Sequence, residues 1–160
     1  MKVSVGVVVS LSSLLLFGGV ASSSIAEGKT SLSMQAKEKA IAHQEKGSTF
    51  DDEGNFAAAI EEFKKSLEYD SEEPNTLFNL GVVYLKTNKP SEAEKIFEKL
   101  SKILPNDSEV FNLLGIARSG AEKKQEAIEA WERSLALQPD QQKVKDMITE
   151  IKTVASNSAK

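Results

Sequence analysis

The sequence predicts an all-α solenoid, in which three helix-turn-helix units stack on one another and a further helix closes the stack. Three observations carry the prediction. The first is a period: over residues 40–141 the chain repeats itself every 34 residues. Gly47, Gly81 and Gly115 keep that step, as do Ala59, Ala93 and Ala127, Phe63, Phe97 and Trp131, and Ser71, Pro105 and Pro139. Four positions in one register over three copies mean one supersecondary unit stacked on copies of itself. The second is the pattern inside a copy. Phe56, Ile60, Phe63 and Leu67 recur at the i, i+4, i+7 spacing of one buried helical stripe. The third is punctuation, since turn residues (Gly54, Asn88-Lys89-Pro90, Gly120) interrupt the helical pattern midway through each copy.

Taken in order, residues 1–26 differ in kind from the rest. Lys2 is their only charge, an apolar run spans residues 3–20, and Ser24-Ile25-Ala26 fits a small-x-small cleavage pattern before Glu27. That is the layout of a secretory signal peptide, with a cut after Ala21 as a variant. The competing expectation is an uncleaved anchor of residues 3–20 in an inner membrane, because the run approaches the ~20 residues a span needs. The absence of cysteine excludes lipid attachment through one. Export places the chain in a periplasm or outside the cell.

Residues 27–33 read as a linker broken by Gly28 and Thr30, and Ser33 as the N-cap of a helix over 34–53. A second helix covers 56–69. Pro74 opens a third, where its missing N–H is not needed, and this helix ends near Thr87. Ser91 is the expected cap of the fourth helix, which runs to Leu104. Asp107 or Ser108 starts the fifth, which Gly120 closes, and the sixth covers 124–137. Past Pro139 the motif stops. Asp140 can cap a helix over 142–156 that bears Val144, Met147, Ile148, Ile151 and Val154, with polar residues opposite. A stack needs such a terminal element with a polar outer face. Residues 157–160 are a tail.

Each repeated position has a physical reason. Gly and Ala belong where the paired helices cross, because a larger side chain pushes them apart. The aromatic fills the space between units, and the closing Pro cannot continue a helix.

The second copy reads Leu77, Leu80, Gly81, Tyr84, Ala93, Phe97, Pro105, and the third reads Phe111, Leu114, Gly115, Arg118, Ala127, Trp131, Pro139. This spacing resembles the tetratricopeptide repeat family. The first copy is weaker, with His43, Lys46, Gly47, Phe50, Ala59, Phe63 and Ser71; there Lys46 replaces a leucine and Ser71 the proline. The resemblance implies a right-handed α-solenoid of repeats 40–73, 74–107 and 108–141 with a C-terminal capping helix. It also implies a role in binding protein segments rather than a reaction.

Composition narrows function by exclusion. A formal charge of −4 and an isoelectric point near 5.2 argue against nucleic acid, which needs a basic face. There is no cysteine and one histidine, so a nucleophilic triad would have to use His43, which instead falls at the large-residue position of its repeat. Asp51-Asp52-Glu53-Gly54-Asn55 lacks the alternating ligand spacing of a calcium loop. The sequon Asn106-Asp107-Ser108 matters only in a eukaryotic secretory pathway. No enzyme, cofactor or metal site is expected.

What remains is a surface. In the family the first helix of each pair lines the concave face, which takes extended peptides or helices. The matching positions are Gln44, Phe78 and Asn112, then Glu45, Asn79 and Leu113, then Ser48, Val82 and Ile116, with Asp51, Leu85 and Ser119 continuing the face and Asp52 and Lys86 at its edge. The trend runs from acidic and polar in the first unit to apolar in the second and third. The expected function is a non-catalytic scaffold or adaptor holding a peptide or helix of another protein, within a bacterial envelope complex. The alternative is a structural module that forms a homo-oligomer. Some family members clamp an acidic chaperone tail with Lys, Asn and Arg. Here only Asn79 matches, and Gln44, Ser48, Glu109 and Leu113 stand at the other positions, so such tails are not expected to bind.

Overall fold

The computed structural model describes the backbone of residues 20–158 and the side chains of 33–154. The described residues form seven α-helices and no strand: α1 (Val20–Asp52), α2 (Phe56–Tyr69), α3 (Pro74–Lys86), α4 (Pro90–Ile103), α5 (Ser108–Gly120), α6 (Lys124–Leu137) and α7 (Gln142–Ser158). This is the all-helical repeat architecture the period predicts. The chain divides into two compact units, 1–35 and 36–160. In the first, the backbone from Val20 onward is helical; the signal-peptide and anchor expectations rest mainly on residues 1–19, outside the described residues. Among the described residues no helix is long and apolar enough to cross a membrane. The expected linker at 27–33 is corrected: Gly28 and Thr30 lie inside α1. One helical Gly costs only about 1 kcal/mol relative to Ala, and Ala26, Glu27, Lys29 and Leu32 around it are compatible with helix.

Within the second unit the helices alternate between two layers. The first-layer helices are α1 from Ala36, α3, α5 and α7; the second-layer helices are α2, α4 and α6. The turn inside each hairpin is the same turn made three times. Gly54, Asn88 and Glu122 adopt the left-handed region with φ of 74°, 54° and 63°. The next residue's N–H reaches back to a carbonyl five residues earlier: Asn55 to Phe50 (2.8 Å), Lys89 to Tyr84 (2.8 Å) and Lys123 to Arg118 (2.9 Å). That pair of features is a Schellman closure, which satisfies the last carbonyls of the helix. Pro90 occupies the first turn of α4 behind Lys89, so it opens the helix and Ser91 does not cap it. The first-layer helices are entered through Glu73, Asp107 and Gln141. The Glu73 side chain accepts from the Thr76 N–H, and that of Asp107 accepts from Glu109 (2.9 Å) and Val110 (3.3 Å). Gln141 replaces Asp140 as the residue entering α7, since its carbonyl accepts from Val144 and Lys145. Its amide also ties back to the Ser134 hydroxyl (2.9 Å) and carbonyl (3.2 Å).

The helix crossing explains the repeated glycines. A Cβ built on Gly47, Gly81 or Gly115 would stand 2.6 Å from Phe63, 2.6 Å from Phe97 or 2.3 Å from Trp131. Each aromatic occupies the space beside the glycine of its paired helix, and those three rings are almost fully buried.

Two hydrophobic clusters result. The larger joins α2 to α5, through Phe63, Leu77, Leu80, Phe97, Leu100 and Val110 among others. The smaller unites Ala127, Ile128 and Trp131 of α6 with Val144 and Ile148 of α7. Val144 and Ile148 stand 34 residues after Val110 and Leu114, and both pairs are buried. The motif therefore does not stop at Pro139. α7 is in register with the first helix of a further unit, and Thr149 stands where the earlier units have glycine; among the described residues no helix follows to pair with it. On α7, Lys145, Asp146, Thr149 and Glu150 are exposed.

The weak first copy has a matching cause. Lys46 is exposed where Leu80, Leu114 and Ile148 are buried. Those three sit under the second-layer helix of the preceding unit, and no described helix covers Lys46.

Candidate functional site

All thirteen sequence-derived groove positions lie on first-layer helices, four on α1, five on α3 and four on α5. Only Glu45 and Lys86 are exposed, and the other eleven are half-buried. Phe78, Val82, Leu85 and Leu113 pack one side against the larger cluster, and Ile116 packs against the smaller. Phe78 also meets Phe97 edge-on, with ring centroids 6.5 Å apart at 78°. These side chains both hold the stack and present a strip.

The polar positions are tied into this frame. Gln44 Nε2 donates to Ser48 Oγ at 3.5 Å, a long contact. Lys86 Nζ donates to both carboxylate oxygens of Asp51 at 2.8 Å, bridging the first and second units, and stands 5.8 Å from the Phe56 ring centroid. The negative end expected from Glu45, Asp51 and Asp52 is thereby reduced, since Asp51 already has its counterion. Asn79 and Ser119 are half-buried beside the apolar positions. Asn112 holds the strip's deepest polar atom: its backbone carbonyl accepts the Trp131 indole N–H at 3.1 Å, while its Oδ1 is buried with no hydrogen-bond partner.

His43 takes no part in the strip. Its ring stacks on Tyr69 (5.8 Å between centroids, 5° between planes) and its Nδ1 lies 2.7 Å from Glu62 Oε2. Glu62 also receives Lys65 at 2.7 Å. Hydrogen bonds from Lys65 and then His43 hold the Glu62 carboxyl down at about 2, well below its ordinary 4.5. This cluster clips α1 to α2. Among the described residues no group of three His, Asp or Glu side chains could hold a metal ion.

The structure adds residues that the motif did not reach. An open cleft of about 300 Å³ lies where α7 meets α5 and α6. Ile116, Trp131, Met147 and Ile151 supply its apolar wall, and Ser119, Lys124, Glu150 and Val154 complete its lining. Met147 and Glu150 are 34 residues after Leu113 and Ile116, so counting the register one unit further would have found them.

The second-to-third interface carries an ionic network beside its apolar contacts. Glu94, 5% exposed, stands 2.9 Å from Lys123 Nζ and 3.5 Å from Arg118 Nε. Arg118 also reaches Glu98 at 3.0 Å. The hydrogen bond that Lys123 Nζ donates to Glu94 raises the Lys123 ammonium above its ordinary value.

Comparison with known proteins agrees with this geometry. Residues 52–116 match the tetratricopeptide repeat family model. Anaphase-promoting complex subunit 3 of Schizosaccharomyces pombe is 27% identical over 75 residues, 47% of this chain and 11% of that protein. The chain thus spans about a tenth of the length of that curated relative. The second TPR domain of human RPAP3, solved in complex with the HSP70 peptide SGPTIEEVD, superposes with a TM-score of 0.67 at 28% identity, over 73% of this chain and 98% of that one. The MamA protein superposes with a TM-score of 0.71 at 25% identity, over 74% of this chain and 64% of that one. Residues 52–116 thus match the tetratricopeptide repeat family, and the helical-repeat fold around them is the one those structures share.

Proposed function

We propose that this chain is a non-catalytic interaction scaffold that holds a peptide or helical segment of another protein on the face made by α1, α3 and α5. The observation that carries the reading is the half-buried apolar strip of Phe78, Val82, Leu85, Leu113 and Ile116, continuous across two units and flanked by acidic side chains at the first. The bound peptide in the RPAP3 structure supports a peptide as the kind of ligand this fold accepts. The ligand's acidic character does not carry over. Gln44, Ser48, Glu109 and Leu113 replace the cations and amides of an acidic-tail clamp, and exposed Glu109 repels a carboxylate. Apolar burial supplies affinity at ~25 cal/mol per Å², and the charges at the first unit favour a Lys or Arg there, acting more on orientation and on-rate than on affinity. The N-terminal composition supports delivery out of the cytoplasm, with a mature chain starting at Glu27 in a bacterial envelope.

The test is Val82→Asp. It places a charge mid-strip at a position that is only partly packed. The expected result is loss of the co-purifying partner with helicity retained; a partner retained at parental yield by a folded Val82→Asp protein rules out this face. Mass spectrometry of the chain from its host tests export, with a start at Glu27 expected and an intact, membrane-embedded chain from Met1 contradicting it.

A further inference from the structure

We infer that the cleft between α5, α6 and α7 is the anchor point of the bound segment, and that it takes one large apolar side chain from a segment carrying Lys or Arg next to it. The inference rests on the interaction reading above and extends it to a specific site and ligand chemistry.

The same place in the preceding step is closed. There Gly120 lies directly on Pro90, so that even a methyl group on Gly120 would come within 2.9 Å of Pro90 Cβ. One period later these positions are Val154 and Lys124. They do not close the space but line it, and Val154 is 47% exposed. Ile116, Met147 and Ile151 are half-buried around it, with the buried Trp131 ring contributing to the lining. The cleft is open to water, its wall is partly apolar, and at about 300 Å³ it is of a size to receive a Leu, Met or Phe side chain.

Charge selects the flanking residues. Glu150 lines the cleft, and Asp146, one turn before it on α7, is exposed. At the far end of the strip Glu45 and Asp52 are exposed, while the strip's own Lys86 is engaged by Asp51. Lys124 is the one cation lining the cleft. The face is therefore apolar in its middle with exposed carboxylates at both ends, Lys124 offsetting Glu150 within the cleft itself and Asp146 adding negative charge beside it, which fits a segment with an apolar centre and basic flanks.

Trp131, the only tryptophan, reports on the cleft directly. The experiment titrates the full-length protein with two blocked decapeptides, one with a Lys-Leu-Phe-Lys core and one with Glu-Leu-Phe-Glu, both flanked by Gly and Ser, and reads tryptophan emission. The expected result is a saturable change with the Lys peptide and at least tenfold weaker binding of the Glu peptide. Glu150→Lys should reduce or reverse that preference, and Met147→Glu should remove the response with helicity unchanged. No saturable change, equal binding of the two peptides, or indifference to Glu150→Lys overturns the inference. So does emission that depends on protein concentration alone, which would place a second copy in the cleft. A partner lost on Val82→Asp but kept on Met147→Glu leaves the interaction face standing and removes only this anchor.

Discussion

The step from the first unit to the second and the step from the second to the third use one geometry with different chemistry. At equivalent positions the first step has Ile60 and Tyr84, 6% and 8% exposed, and the second has Glu94 and Arg118. The third step, onto α7, has Ile128 and Lys152. What both of the first two steps share is the crossing of a glycine by an aromatic ring inside each hairpin. The difference teaches that the crossing fixes how helices pair, while the contact between units tolerates an apolar pair, an ionic pair or, at the outermost step, buried Ile128 with an exposed Lys152.

Removing what the steps share should cost most. Gly115→Leu drives carbon into the Trp131 ring, which already lies 2.3 Å from the site of a Cβ, and overpacking of that kind costs ~1–3 kcal/mol. Thermal melts should place it at the upper end of that range, and a melt matching the parent would mean the crossing is misplaced.

Breaking the ionic step comes next. Arg118→Leu leaves Glu94 buried with only Lys123, and stranding one member of a buried pair costs ~3–5 kcal/mol when both are fully enclosed. The Arg118 side chain is 18% exposed and Lys123 still compensates, so a loss of roughly 2 kcal/mol is expected in urea unfolding, below what breaking a fully enclosed pair costs. Glu94→Ile combined with Arg118→Tyr converts the second step to the chemistry of the first and should restore parental stability. A double variant as weak as Arg118→Leu would show that the steps are not interchangeable.

A smaller effect separates the turns. The first hairpin closes through Gly54, while the third asks Glu122 to hold a φ of 63°, which costs a side-chain-bearing residue ~1–2 kcal/mol. Glu122→Gly should raise the melting midpoint and Gly54→Ala should lower it. The smallest expected effect concerns the clip at the first step. With its carboxyl held at about 2 in the fold against an ordinary 4.5, Glu62 stabilises most above pH 4.5, and that contribution fades as pH falls toward 2. The deficit of Glu62→Gln relative to the parent should therefore shrink across that window in pH-dependent unfolding.

These contrasts also mark what was legible in the sequence. The glycine, alanine and aromatic columns were, because a helix crossing admits few residues. The turns were placed but their caps were misread at Ser91 and Asp140. Lys89 precedes α4 with no side-chain cap, Pro90 being its first residue, and Gln141 enters α7 through its backbone carbonyl and an amide contact to Ser134 that the expected cap pattern does not contain. Gly28 looked like a break, although its propensity cost is too small to end a helix by itself. The far end of the candidate face was missed because Met147 and Glu150 fall after the last motif proline, where the register continues although the consensus residues do not. Lys46 looked like decay of the motif and is instead the residue expected where no described helix covers its position.

The most direct test of the interaction claim is site-specific photo-crosslinking in the host, with a benzophenone side chain at Val82 or Met147 on the first layer and at Lys95 or Glu129 on the exposed second layer. The account predicts one discrete crosslinked partner from Val82 and Met147 and none from Lys95 or Glu129. Crosslinks arising only from Lys95 or Glu129 would contradict it and move the interaction to the opposite side of the stack.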